Sequence, residues 1–189
     1  MHTTIKRFLM LLIVAAMFTI GGSQAFSANT VMVGGEAMFP TKDIVDNAVN
    51  SKDHTTLVAA VQAAGLVETL KSPGPFTVFA PTNDAFENLP EGTVETLLKP
   101  ENKDTLTKVL TYHVVPGSLD FRAISKKIEQ GGGQAEFKTA SGGMLTAWMN
   151  GPNNVVLKDE NGNTANITTY DVIQSNGVIH VIDTVVLPN

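Results

Sequence analysis

The chain of 189 residues contains no cysteine, and this absence excludes several kinds of chemistry at once. Without a thiol there is no disulfide framework, no thiolate nucleophile and no iron-sulfur cluster. Cysteine-ligated zinc, covalently attached haem and a lipidated N-terminal cysteine are excluded as well. The fold must therefore be held by its own core, and no cofactor is expected.

Charge is also scarce, because charged residues make up 16% of the chain and the longest basic run is Lys126-Lys127. Contacts to nucleic-acid phosphates need a clustered basic face, so no nucleic-acid partner is expected. The phosphate-binding loop, the dinucleotide fingerprint, the H-E-x-x-H zinc motif and the G-x-S-x-G nucleophile motif are all missing from the sequence. No common enzyme signature is left, and we expect a protein that is not an enzyme.

The N-terminal segment has the pattern of an export signal. Lys6 and Arg7 precede an apolar run over residues 8–20, and small residues follow at Ser23 and Ala25. We predict a signal peptide over residues 1–25 and an exported protein, located in the periplasm or outside the cell. An apolar run shorter than about 20 residues disfavours a retained anchor, so no stable membrane anchor is expected after cleavage.

The rest of the chain fits one domain. Cleavage would remove two of the 13 basic residues and no acidic one, which leaves 11 basic and 18 acidic residues and a formal charge of −7. Residues 26–40 contain glycine and little apolar patterning, so we predict a flexible leader there and a single domain over residues 41–188. A chain of this size can bury about 70% of the surface that it exposes when unfolded.

Apolar spacing predicts a helix-rich first half and a strand-rich second half. The Asn161-Gly162 pair is a hairpin signal, because both central residues of a type I′ turn need positive φ. These patterns together predict an α+β domain. The main predicted helices cover residues 41–50, 54–65, 93–99, 101–110 and 121–129, with Thr55 or Thr56 and Asp120 as N-caps. The predicted strands cover residues 76–80, 112–115, 135–139, 144–149, 154–158, 165–169, 178–182 and 185–187.

Two histidines lie in similar apolar surroundings, at His113 and His180. A neutral imidazole in such a place can bond a backbone group and stay buried, which is the structural interpretation. Metal binding would need further ligands, for which Asp84 and Asp183 are the nearest candidates in the motifs, and no metal is expected. A catalytic role for a histidine and aspartate pair has no activated nucleophile beside it.

Three segments of the sequence resemble the signature segments of fasciclin domains. They are Phe76-Thr77-Val78-Phe79-Ala80-Pro81-Thr82-Asn83-Asp84-Ala85-Phe86, then Tyr112-His113-Val114-Val115-Pro116-Gly117, then Asn176-Gly177-Val178-Ile179-His180-Val181-Ile182-Asp183. Their order and spacing agree with the family over residues 41–188, and the layout is similar to small single-domain members that bacteria export. The resemblance implies a β-wedge, or sandwich, with several short helices packed around it.

The resemblance also implies a non-catalytic role in adhesion, through a cell-surface, matrix or envelope partner that is a protein or a glycan. In animal members, contact with integrin is assigned to a Tyr-His segment, matched here by Tyr112 and His113, and to an Asp-Ile pair, matched by Asp171-Val172. Those two strand residues, Tyr112 and His113, are alternatively core residues of the signature. The loops around Asn83-Asp84 and from Asp171 to Asn176 are the candidate contact surfaces, and the sequence leaves the oligomeric state open.

A second hypothesis is an apolar carrier, since some fasciclin-domain proteins bind pigments such as carotenoids in a groove. Met38, Met144, Trp148 and Met149 are the candidate lining of such a groove in this chain. Methionine and tryptophan in strands are alternatively ordinary core residues.

Overall fold

The computed structural model describes residues 30–189, so the predicted signal peptide lies outside the described residues. The helices are α1 Ile44–Ala48, α2 Thr55–Ala64, α3 Val67–Lys71, α4 Asn83–Glu87, α5 Thr93–Leu97, α6 Lys103–Tyr112 and α7 Phe121–Gln130, with short 3₁₀ helices at Lys52–His54 and Pro100–Asn102. The strands are β1 Val31–Val33, β2 Glu36–Met38, β3 Phe76–Pro81, β4 Val114–Pro116, β5 Gln134–Lys138, β6 Met144–Met149, β7 Val155–Lys158, β8 Thr164–Gln174 and β9 Gly177–Ile182.

The larger sheet has seven strands in the order β4-β3-β9-β8-β7-β6-β5. Strands β3 and β9, called the central pair below because both of their faces are covered, are second and third from the β4 edge and run parallel, and the other neighbours are antiparallel. The long strand β8 changes register twice between Ile167 and Val172, so that it bends and belongs to both halves of the sheet. The turn after β5 returns to β4 through Ala140, whose N–H bonds the carbonyl of Val114 at 2.7 Å. The folded sheet is therefore a wedge, and the predicted α+β class is confirmed.

The core is divided by β3 into two apolar clusters, because successive strand residues face opposite sides of a sheet. What we call the helix-side cluster lies between the helices and one face of β3 and β9. It includes Met38, Leu57, Val61, Val78, Ala80, Leu106, Leu110 and Ile179. The wedge cluster lies between the two halves of the sheet and is closed by α7. It includes Phe79, Tyr112, Ile124, Ile128, Leu145, Leu157 and Ile182.

Local signals explain several of the helix ends. The Asp120 side chain accepts the N–H of Ala123 at 2.7 Å, which makes it the N-cap of α7 as predicted. Gly65 ends α2 with φ of +73°, a conformation that glycine adopts without steric cost. Among residues 30–189, none of the helices combines the length and the apolar character needed to cross a bilayer.

The segment before residue 41 differs from the flexible leader that the sequence suggested. Within the described part of that segment, β1 and β2 form an antiparallel hairpin with Val31 opposite Met38. Val33 and Met38 are buried in the helix-side cluster, so the hairpin is part of the fold. The strands have three residues each and lie on either side of Gly34 and Gly35, too short for a periodic apolar pattern.

Candidate interaction surface and signature residues

Tyr112 is the last residue of α6, which corrects the prediction of a strand over residues 112–115. The apolar stripe of the helix continues through Leu110 to Tyr112. The β-branched residues Val114 and Val115 led to a predicted strand that begins two residues before the observed β4. The tyrosine side chain is 0% exposed, and its hydroxyl donates to the carbonyl of Met144 at 2.7 Å. Burial raises the pKa of Tyr112 to about 12. Tyr112 is a core residue that joins α6 to β6.

His113 follows Tyr112 at the C-terminal end of α6 and is 3% exposed. Nδ1 lies 2.8 Å from the carbonyl oxygen of Val109, and Nε2 accepts the N–H of Val186 at 3.3 Å. These two bonds fix the neutral tautomer that carries its proton on Nδ1. Burial lowers the pKa of His113 to about 4, so the ring is uncharged at neutral pH.

His180 lies in β9, directly opposite Phe79 of β3, and is fully buried. Nε2 lies 2.7 Å from the carbonyl of Leu119 and donates to it, while Nδ1 accepts the N–H of Asp171 at 3.3 Å. Its ring stacks on Phe79 with 5.8 Å between centroids, and burial lowers its pKa. Both histidines therefore bond backbone groups, as the structural interpretation predicted, and neither nitrogen pair is free to ligate a metal.

Asp171 lies inside β8, where its φ of +55° marks the irregular part of the strand. Its Oδ1 accepts the N–H of Phe121 at 2.7 Å, in the first turn of α7. A carboxylate at that position satisfies a free helix N–H and interacts favourably with the helix dipole. Val172 is 1% exposed and belongs to the helix-side cluster. The Asp171-Val172 pair thus positions elements of the fold, and Val172 offers no surface to a partner.

Asn83 is the first residue of α4 and connects it to the start of α2. Its Oδ1 accepts the N–H of Thr56 at 3.0 Å and the hydroxyl of Thr55 at 3.2 Å, and its Nδ2 donates to the carbonyl of Lys52 at 2.8 Å. The N-terminus of α2 is therefore capped by a side chain from another helix. The prediction that Thr55 or Thr56 caps this helix is wrong. Asp84 next to it is exposed in the first turn of α4.

The two predicted contact loops lie at opposite ends of the central strand pair. Phe76 is opposite Gly177 at one end of β3 and β9, and Pro81 is opposite Ile182 at the other. Asp84 follows the second end, whereas the turn that closes the 171–176 segment precedes the first. A strand of this length spans about 15 to 20 Å, so the two loops belong to separate surfaces. In the 171–176 segment the exposed side chains are Ile173 and Ser175.

The four candidate carrier residues do not line a common groove. Met38 is buried in the helix-side cluster, and Met149 packs against the wedge cluster. Met144 and Trp148 are half-buried on the outer face of β6, since they alternate with Leu145 and Ala147, which face the wedge. The groove that the sequence suggested is not formed by these side chains.

A buried carboxylate that the sequence did not single out holds the chain end in place. Asp159 is 4% exposed and lies in the turn that joins β7 to β8. Its oxygens accept the N–H groups of Asn161 and Asn163, and that of Leu187 at 2.9 Å. An aspartate two residues before Asn161-Gly162 is typical of a turn. Its bond to Leu187, in contrast, depends on the tertiary fold.

Asn176 is a second polar residue whose role appears only in three dimensions. Its Oδ1 accepts the N–H of Ile44 at 3.1 Å, and its Nδ2 donates to the carbonyls of Leu70 and Ser72 at 2.8 and 2.9 Å. One side chain thus joins α1, the end of α3 and the start of β9. Within the described 160-residue stretch from Thr30 to Asn189, no group of three or more histidine, aspartate or glutamate side chains is arranged to hold a metal ion.

Comparison with known proteins decides what this arrangement is. A family model for the fasciclin domain matches residues 52–188. The chain belongs to the fasciclin family. The signature segments of that family are the segments whose side chains are described above, and in this member most of their polar groups bond within the domain.

Relatives and solved structures agree with this assignment. Protein sll1483 of Synechocystis is 50% identical over 149 residues, which cover 77% of this chain and 73% of that protein. The transforming growth factor-beta-induced protein ig-h3 of Sus scrofa is 35% identical over 149 residues, 79% of this chain and 20% of that protein. The fold is similar to a FAS1 domain pair from the insect cell adhesion molecule fasciclin I, with a TM-score of 0.68 at 16% identity. The match covers 77% of this chain and 51% of that two-domain chain.

Proposed function

We propose that this fasciclin domain is an exported, non-catalytic interaction domain that binds a cell-surface, matrix or envelope partner, either a protein or a glycan. The family assignment supports an interaction role, and the lysine-arginine and apolar pattern of residues 6–20 supports export. The structure of the described residues supports binding through the outer surface, because the signature histidines are neutral and bonded on both nitrogens.

The observation that carries the proposal is the contrast between Asp84 and the other signature residues. Tyr112, His113 and Val172 are buried, while Asp171 and Asn83 bond backbone N–H groups of neighbouring elements. Asp84 is the one of these six predicted contact residues whose side chain is exposed. A partner that uses the predicted signature region therefore meets the domain at the α4 end of β3.

The opposite end of the central strands is the alternative binding surface. Ile173 and Ser175 are exposed there, and Ile173 is one of few large apolar side chains in the described chain with substantial exposure. A contact made through one or two exposed side chains is weak. Binding to a surface that carries many copies of the partner would raise the effective affinity without further contacts.

The experiment is a binding assay with the purified protein on intact cells, isolated envelope and extracellular matrix from the source organism. Asp84→Lys tests the α4 end, and Asp104→Lys is its matched control, since Asp104 is also exposed in the first turn of a helix. Ser175→Lys tests the opposite end, and the exposed Thr105 provides the control Thr105→Lys.

We expect saturable binding that one of the two test variants weakens about tenfold or more, while both control variants bind like the parent protein. Equal binding by all four variants would place the contact elsewhere on the domain. No saturable binding to any of the three preparations would contradict the interaction proposal.

A further inference from the structure

The half of the sheet formed by β5, β6, β7 and the start of β8 has one face turned to solvent. Leu145, Ala147, Val155 and Leu157 are buried in the wedge cluster, where α7 also packs. The residues that alternate with them point to the opposite side of the sheet, which we call the outer face. Most side chains on the outer face are polar and exposed.

Trp148, the single tryptophan of the chain, lies in the middle of one row of the outer face. The strand register places Gln134 beside it on β5 and Val156 beside it on β7, and Asn166 of β8 follows next to Val156. Val156 is 5% exposed although it points to the same face, as expected if the indole lies over it and turns its other ring face to solvent. This row therefore combines an aromatic surface with polar side chains at both ends.

The indole N–H of Trp148 is accessible and unpaired. The tryptophan is half-buried, and its side chain makes no hydrogen bond within the described residues 30–189. In this part of the chain, the one buried polar side-chain atom that lacks a partner belongs to His54. The unpaired N–H of Trp148 is therefore at the surface, where a ligand can reach it.

Three side-chain amides lie around the indole. Gln134 is exposed, and its amide has no partner among the residues that the structure describes. The other two are held in place, because Nδ2 of Asn154 donates to Oδ1 of Asn166 at 3.4 Å and Nδ2 of Asn166 donates to the Asp183 carboxylate at 2.9 Å. Each Nδ2 carries two protons, so both asparagines keep a further N–H to donate.

The row is uncharged between Gln134 and Asn166, unlike the row beside it. There Glu136 and Lys158 lie on either side of Thr146. Because the Trp148 row has no ionised side chain, it offers no ion pair to a charged ligand. Its aromatic ring and amides match a ligand that is neutral, has apolar C–H surface and carries many hydrogen-bonding groups.

We propose that the Trp148 row of the outer face binds a neutral oligosaccharide. One sugar ring stacks on the indole, because the face of an aromatic ring is negatively polarised and attracts the C–H groups on the flat face of a pyranose. The sugar hydroxyls bond the amides of Gln134, Asn154 and Asn166, since both kinds of group can donate and accept. Strands about 4.8 Å apart place Gln134 and Asn166 roughly 14 Å from each other, a length that suits two or three linked sugar rings.

This inference rests on the proposed interaction role, for which it names the ligand class and a surface distinct from both ends of the central strands. The test uses the single tryptophan as a reporter. Cellotriose, maltotriose and chitotriose, three neutral trisaccharides, are titrated into the purified protein. Binding is followed by tryptophan fluorescence and by the one indole N–H signal in the NMR spectrum. We expect at least one trisaccharide to bind with a Kd in about the millimolar range or below and to shift that signal.

Variants on the outer face locate the site, with calorimetry as the readout and backbone amide spectra as the check on folding. Trp148→Ala should weaken binding about tenfold or more, and Trp148→Phe, which keeps an aromatic ring, should lose less. Met144→Ala is the matched control, because Met144 is also half-buried on the outer face of β6. Gln134→Ala should weaken binding about threefold to tenfold, whereas Lys138→Ala on the same face of β5 should bind like the parent protein.

Two outcomes would overturn the inference, namely no binding of any of the three trisaccharides, or equal binding by Trp148→Ala and the parent. The cell, envelope and matrix assay separates this inference from the proposed function. Saturable binding to a preparation without binding of a trisaccharide would support the interaction role and refute the saccharide site. Trisaccharide binding that Trp148→Ala weakens, without binding to any preparation, would do the reverse.

Discussion

The two apolar clusters on either side of β3 are packed differently. In the wedge cluster the large side chains Phe79, Leu145 and Leu157 are completely buried, and the two histidines that border β3 have all their nitrogens bonded. The helix-side cluster contains a cavity of about 120 Å³, and the wall of this cavity includes His54, whose buried Nε2 has no hydrogen-bond partner. The wedge is therefore a filled core, whereas the helix side retains unfilled volume and one unsatisfied polar atom.

The largest expected effect comes from truncating a leucine in each cluster. Leu145→Ala in the wedge should lower the free energy of unfolding by about 4 kcal/mol, because it opens a new void in a filled region. Leu110→Ala should cost less, about 3 kcal/mol, since Leu110 already borders a cavity and has fewer contacts to lose. Urea unfolding of both variants measures the difference. A larger cost for Leu110→Ala would mean that the two clusters do not differ in packing.

Acid should reveal the buried histidine His113. The pKa of His113 is lowered from 6.5 to about 4 in the folded state, so the unfolded chain binds its proton first as the pH falls. As the pH falls from about 6.5 to about 4, the free energy of unfolding decreases by up to about 3 kcal/mol, and it recovers as the pH rises again. His54 and His180, whose pKa values burial also lowers, act in the same sense. Urea unfolding at several pH values in this range should show that the free energy of unfolding depends less on pH in His113→Phe than in the parent protein.

The same substitution at two buried histidines compares a fully bonded ring, His113, with a ring that has one unpaired nitrogen, His54. His113→Phe leaves the Val109 carbonyl and the Val186 N–H without partners and should cost about 2 to 3 kcal/mol. His54→Phe leaves one buried group, the Ser51 hydroxyl, without a partner and removes an Nε2 that was already unpaired, so its cost should be smaller, about 1 kcal/mol. Thermal and urea unfolding of the two variants measures this. Equal losses would show that Nε2 of His54 is satisfied in solution.

The smallest effect concerns helix caps on the two sides. Asp120→Ala removes the N-cap of α7, which closes the wedge, and should cost about 1 kcal/mol. Asp43→Ala removes the N-cap of α1 on the helix side. Its cost should be smaller, because Asn176 still bonds the N–H of Ile44 and ties α1 to the sheet. Chemical denaturation gives both values, and a larger loss for Asp43→Ala would contradict this order.

Much of the wedge could be predicted from the sequence. Period-two patterning gave β6 at residues 144–149 without error, and the Asp120 cap followed from local chemistry alone. The signature segments around Phe79 and His180 indicated the two central strands, because continuous apolar runs are typical of strands covered on both faces. Patterns of this kind persist over several residues, which is why they survive in a single sequence.

The helix side was harder to predict, because its features depend on distant residues. The β1–β2 hairpin is too short for a pattern, and the strand predicted at residues 185–187 did not form, since Leu187 is held by Asp159 instead. The cavity is a property of volumes that no sequence pattern records. Likewise, the unpaired Nε2 of His54 becomes evident only when every neighbouring acceptor is placed.

The parallel pairing of β3 with β9 has a consequence for how the domain is made. Phe76 and Gly177 are neighbours in the sheet but lie roughly 100 residues apart in the chain, so the central pair forms only after most of the domain has been synthesised. Until then β3 lacks a neighbour on one side, and the wedge has no closed interior. Closing the sheet therefore depends on a contact between residues far apart in the chain, and such contacts are slow to form during folding.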